Sequence, residues 1–147
     1  MLEQDYLSRM IKEFSKALIH TLKGSREFDN PLESANSIEK TLENCIDIDR
    51  KILLNLQPES MVNMLQVINI DPKLCPFIAF SLQLESHLFK KSGEDELAEL
   101  RMGQAKAVVK SYNIDIEEPL LDLKEHLREE DLSSLLELGI EFREDEE

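Results

Sequence analysis

Residues 76–112 read PFIAFSLQLESHLFKKSGEDELAELRMGQAKAVVKSY, and this stretch decides the fold. Its first half holds Phe77, Ile78, Ala79, Phe80, Leu82, Leu84, Leu88 and Phe89. Apolar residues fall nearly all round the helical wheel, which suits a helix enclosed by others. Ser92-Gly93 interrupts the run. Beyond it Leu97, Ala98, Leu100, Met102, Ala105, Val108, Val109 and Tyr112 recur at helical spacing, leaving Glu94, Glu96, Glu99, Arg101, Lys106 and Lys110 for the wet side. Two helices joined by a short glycine turn predict an antiparallel hairpin.

The hairpin resembles one tetratricopeptide repeat. That repeat sets a glycine at the turn, with two small residues beyond it where its helices press together, and Gly93, Ala98 and Ala105 stand at this spacing with Met102 between the alanines. Leu82 and Phe89 fall on its large apolar positions, and Ser86 meets the size requirement of its small one. Glu85 departs from the pattern, standing where the repeat has Leu. A second resemblance lies at the N-terminus. Gln4-Asp5-Tyr6-Leu7 and Arg9-Met10-Ile11 look like the opening of a family of small bacterial all-helical proteins of unknown function, and Gly93–Tyr112 resembles that family's repeat-like later part. The resemblance implies an all-α fold and a bacterial cytoplasm, and it carries over no activity and no site residue.

Outward from the hairpin, the pattern stays helical. Residues 5–23 form an amphipathic helix in which Leu7, Met10, Ile11, Phe14, Leu18 and Leu22 make one apolar stripe, with Arg9, Lys12, Lys16, His20 and Lys23 on another face. A linker from Gly24 to Asp29 follows. Asn30-Pro31-Leu32-Glu33 is a helix start, with an N-cap, Pro at the first position and Glu three residues after the cap. This helix is expected to run towards Leu56, carrying Leu32, Ile38, Leu42, Cys45, Ile46, Ile52, Leu53 and Leu56. Pro58 opens a shorter helix to about Ile68 with Met61, Met64, Leu65 and Ile68 inward, and a turn containing Pro72 leads back to the hairpin. After Asn113, helices are expected at 119–127 and 132–138, then an acidic tail over 140–147. The expectation is one all-α domain spanning 1–147, with six or seven helices in antiparallel hairpins (5–23, then 30–112, then 115–139), partly tetratricopeptide-like.

Composition excludes several functions. A hydrophobic fraction of 41% with 33% charge is that of a folded chain. The net charge of −14 repels phosphate, so no nucleic-acid partner is expected. The charge is uneven: residues 117–147 hold thirteen acids against three bases, whereas residues 1–26 hold five bases against three acids. No apolar run reaches the roughly 18 residues of a membrane span, and Arg9, Lys12, Glu13 and Lys16 punctuate the N-terminus where a secretion signal would be apolar. A cytoplasmic protein with Cys45 and Cys75 reduced in its interior is the expectation.

Chemistry is sparse. Asp47 and Asp49 mimic the opening of a calcium loop, but its sixth position is Ile52 and its twelfth Pro58, so no calcium site is expected. His20, His87 and His126 are scattered, and Asp122, His126 and Glu130 line up at helical spacing as a surface charge ladder. No glycine-rich phosphate loop is present, and no catalytic, cofactor-binding or metal-binding residue is assigned. The expected role is therefore non-enzymatic: a scaffold for a protein partner or for self-association, with a homodimer through the first helix favoured. Its interaction face is Leu7, Arg9, Met10, Ile11, Lys12, Phe14, Lys16, Leu18 and Leu22. An enzyme or small-ligand site assembled from distant residues is the competing class, and peripheral membrane attachment through the first helix is a third.

Overall fold

The computed structural model describes residues 9–10 and 31–114. Most of the first helix, the linker after it, both C-terminal helices and the acidic tail lie outside the described residues. Within them the chain is all-α, with five α-helices, one 3-10 turn and no strand.

Helix α1 spans Pro31–Ile46 and buries Ala35, Ile38, Leu42 and Ile46 at helical spacing. It does not run on to Leu56. Asp47 takes a left-handed φ of 67°, and Asp49 caps a new short helix, α2, over Arg50–Leu53, its side chain accepting from the Lys51 N–H at 2.8 Å. The two aspartates that mimic a calcium loop thus serve a helix stop and a helix start, which are local uses of short polar side chains. The break also rotates the apolar pattern, leaving Ile52 exposed along with Leu32 at the other end of α1.

Helix α3, Pro58–Val67, begins with its proline in the first turn and buries Met61, Val62 and Leu65. It ends at Asn69, which adopts a left-handed φ of 59°, while the Ile70 N–H reaches back to the Leu65 carbonyl at 3.1 Å and the Asn69 N–H to that of Gln66 at 3.0 Å. This pair of bonds is a Schellman closure, which satisfies carbonyls the helix end would otherwise orphan. A 3-10 turn over Pro72–Leu74, capped by Asp71, feeds into α4, Cys75–Lys91.

Helix α4 is the axis of the molecule. Phe80, Leu82, Leu84 and Leu88 are fully buried, and so is nearly every other residue from Cys75 to Phe89. It packs most extensively on α5, Asp95–Tyr112, and on its other side against α1. Each large side chain it buries contributes about 1.5–3 kcal/mol relative to exposure. The turn between α4 and α5 is a second Schellman closure, with Gly93 at φ 83°, its N–H on the Lys90 carbonyl and the Glu94 N–H on that of Phe89. A side chain at Gly93 would be strained there by conformation alone.

The small residues expected at the crossing lie in the interior. Ala98 and Ala105 are buried, and the Ser86 hydroxyl donates across to the Ala98 carbonyl at 2.7 Å. Gly103 faces α3, where an added Cβ would stand 3.1 Å from the Pro58 Cγ. Helix α5 is therefore covered on two sides, and its wet face is narrower than the spacing predicts. Arg101, expected in water beside Glu99, is only 3% exposed.

Candidate functional site

Two places hold chemistry: a sealed polar knot at the centre and an open cleft at one end.

The knot is built around Arg101 on α5. Its Nε donates to Glu85 Oε1 on α4 at 2.8 Å, its Nη2 to Glu39 Oε2 on α1 at 3.1 Å, and its Nη1 to the Leu54 carbonyl at 2.7 Å. Gln104, one turn along α5, donates to the Leu54 and Leu56 carbonyls at 3.0 and 2.8 Å. These carbonyls belong to the turn between α2 and α3, which has no helix or sheet of its own to satisfy them. The guanidinium also lies 5.6 Å from the centre of the Phe89 ring, a cation–π distance. One arginine thus ties together three helices and a loop.

Glu85 is 0% exposed, and its Oε2 is buried with no donor aimed at it. Glu39, paired with the same guanidinium, is its acidic neighbour. Two ionised carboxylates are acceptors only. Burial above all, and then the neighbouring Glu39, push the Glu85 pKa well above its ordinary value of 4.5, against the pull of Arg101.

Perturbed acids often mark active sites. This one is closed, since Glu85, Arg101 and Gln104 are all within 3% of full burial and no substrate reaches them. Cys75 is equally shut in, and burial, helped by the Asp71 charge, pushes its thiol up to about 12, far from a working nucleophile. Tyr112 is raised too, by burial first and then by Cys75. Among the described residues, no three His, Cys, Asp or Glu side chains gather as a metal site requires. The knot and these neighbours act on the fold.

The accessible feature is a cleft of about 670 Å³ where α1 ends beside the α3–α4 connection. Cys45, Ile46, Asp47 and Ile48 form one wall, and Ile68, Asn69, Ile70, Asp71, Pro72 and Leu74 form the other. Both walls owe their shape to left-handed residues, Asp47 on one side and Asn69 on the other, which turn the chain sharply and present the isoleucines that follow them. At the rim Ile68 is 37% exposed, and the adjacent Val67 is 80% exposed. Among the described residues, the lining carries two carboxylates and no cation.

One further residue lines the cleft: Met10, which packs partly buried against the core from a helical position far upstream in sequence. Of the expected interaction face, then, Met10 forms part of the cleft wall and Arg9 is exposed. Leu7, Ile11, Lys12, Phe14, Lys16, Leu18 and Leu22 lie outside the described residues. The cleft itself was not legible as a site, because its walls meet only through tertiary packing. Of the knot, Glu85 left a trace in sequence as a lone acid in an otherwise apolar helix. No helix among the described residues is long and apolar enough to cross a membrane. Comparison with protein-family models, with curated proteins and with solved structures finds no match.

Proposed function

We propose that the protein is a non-enzymatic helical scaffold of the cytoplasm, whose cleft takes an amphipathic helix of a protein partner or of another copy of itself. The observation that carries this reading is the apolar lining of the cleft: Ile46, Ile48, Ile68, Ile70 and Leu74 are joined there by Met10, brought in from a helical position far upstream in sequence. Helix-in-groove recognition uses this chemistry, with apolar anchors in the trough and charges at its edge. Asp47 and Asp71 supply the edge and favour a helix with basic flanks. The Ser86–Ala98 crossing supports a tetratricopeptide-like reading of the α4/α5 hairpin, with the cleft opening at its N-terminal end.

The test is Ile70→Glu, which charges one wall of the cleft. Capture from native cytosol and the mass by light scattering should both change, with the far-ultraviolet helix signal retained. Identical captured proteins and identical mass for the variant and the wild type would defeat the reading.

A further inference from the structure

The charges at the knot do not balance. Glu39 on α1 and Glu85 on α4 share one guanidinium, with Arg101 Nη2 at 3.1 Å from Glu39 Oε2 and Nε at 2.8 Å from Glu85 Oε1. The remaining nitrogen is spent on neutral acceptors, the Leu54 carbonyl at 2.7 Å and Gln104 Oε1 at 3.3 Å. Of the elements around Glu85, α5 brings Arg101, α1 brings Glu39, and the turn after α2 brings only the uncharged Leu54 carbonyl. Among the described residues, then, two acids face one cation. With both ionised the knot holds a net negative charge in a closed interior, which is costly. The two acids have different ways to relieve it. Glu85 is 0% exposed, and its Oε2 is buried without a hydrogen-bond partner among the described residues, so it sheds its charge by taking up a proton. Burial favours that proton, and Glu39 adds to it, against the pull of Arg101. The Glu39 side chain is 18% exposed and meets water at the edge of the knot. It stands midway along α1, which buries a single stripe, whereas α4 is buried along nearly its whole length.

We propose that the knot is a proton-linked latch on α1. With a proton on Glu85, Glu39 and Arg101 form a neutral pair that holds α1 against the hairpin of α4 and α5. When that proton leaves, Glu85 and Glu39 repel across the guanidinium they share, and α1 opens locally ahead of the other helices. It is α1 that yields, because Glu39 has water beside it and Glu85 has none. The latch is closed towards acid and loosens as pH rises through the folded value of Glu85, since a raised acid contributes stability that is complete below its ordinary value of 4.5.

Native-state hydrogen exchange on the full chain tests the latch helix by helix, from about pH 5.5 to about pH 8.5. Each rate is divided by that of an unstructured peptide at the same pH, so that only opening remains. Wild type is compared with Glu85→Gln, which keeps the shape of the side chain and cannot ionise, and with Glu39→Gln, which takes the second acid off the shared guanidinium. In wild type the protection of α1 should fall across this range by at least about tenfold more than that of α4 and α5, the equivalent of one unit between the Glu85 pKa of the closed and the open state. In both variants the excess should vanish, because one acid then faces one cation. A wild-type α1 whose protection tracks that of α4 and α5 at every pH overturns the latch, whether or not the variants fold. So does an excess that persists in either variant.

Discussion

The knot and the cleft are built from opposite materials. At the knot the protein buries an arginine, an acid and an amide at the tightest point of an apolar core. At the cleft it leaves isoleucines within reach of water. Each choice costs stability in isolation. Buried charge is tolerated where its donors find acceptors, as those of Arg101 do, and a network so tied fixes one arrangement of the helices it joins. The contrast separates the two ends: the knot ties α1, α4 and α5 together, and the cleft lies apart from it, at the end of α1.

The comparison breaks most severely at Arg101. Arg101→Met removes the donor shared by Glu85, Glu39 and the Leu54 carbonyl, and a loss of about 3–5 kcal/mol is expected in urea unfolding. That is a large part of the roughly 5–15 kcal/mol available to a domain. Arg101→Met/Glu85→Leu should recover much of it, because an apolar pair leaves no stranded acid. A single variant within about 1 kcal/mol of wild type would mean that the knot does not hold the register.

Next comes the helix crossing. Ala105 is 4% exposed, so Ala105→Leu forces extra methylenes into a closed interior at a cost of about 1–3 kcal/mol. An unchanged melting temperature would remove the hairpin from the rigid half of the comparison.

How much of this was legible in sequence depends on the range of the interaction. The hairpin was, because Gly93, Ala98 and Ala105 write its turn and crossing locally. The break after α1 was not: an Asp in a left-handed conformation reads the same as an Asp in a helix until Asp49 is seen capping the next turn. Arg101 was misplaced because periodicity counts one wet face, whereas α5 is covered by both α4 and α3. Its acceptors come from sequence positions 39, 54 and 85, and nothing local announces them. The cleft joins residues near 10, 47 and 70, and of the expected face only Met10 and Arg9 fall among the described residues.

A smaller effect separates the protonated from the ionised knot. Glu85 is raised above its ordinary value, with Glu39 from α1, Arg101 from α5 and the Leu54 carbonyl nearby. A raised acid contributes stability that is complete below the unfolded value near 4.5 and is lost as pH climbs through the folded value. Glu85→Gln imitates the protonated form at every pH. The stability of the variant minus that of wild type should therefore grow in the variant's favour from acid to neutral pH, the other carboxylates cancelling in the difference. The opposite slope would show Arg101 holding Glu85 as a carboxylate.

The smallest effect lies at the seam between the two regions, where α5 meets the first turn of α3, the helix whose far end forms a wall of the cleft. Gly103 interrupts α5, and replacing a mid-helix glycine by alanine gains about 0.5–1 kcal/mol from backbone entropy. Against this, the new methyl would lie 3.1 Å from the Pro58 Cγ, a few tenths of an ångström too close. Cγ is the atom that moves when a proline ring changes pucker, so the neighbour has room to yield without shifting α3. Gly103→Ala is therefore expected to stabilise the protein slightly, by about 0.5 kcal/mol, read as a raised urea midpoint at unchanged slope. Gly103→Val adds β-branching at the same contact, which ring pucker does not relieve, and it should destabilise. If alanine also destabilises, by about 1 kcal/mol or more, Pro58 is clamped, and the rigid half of the molecule extends through α3 to the wall of the cleft.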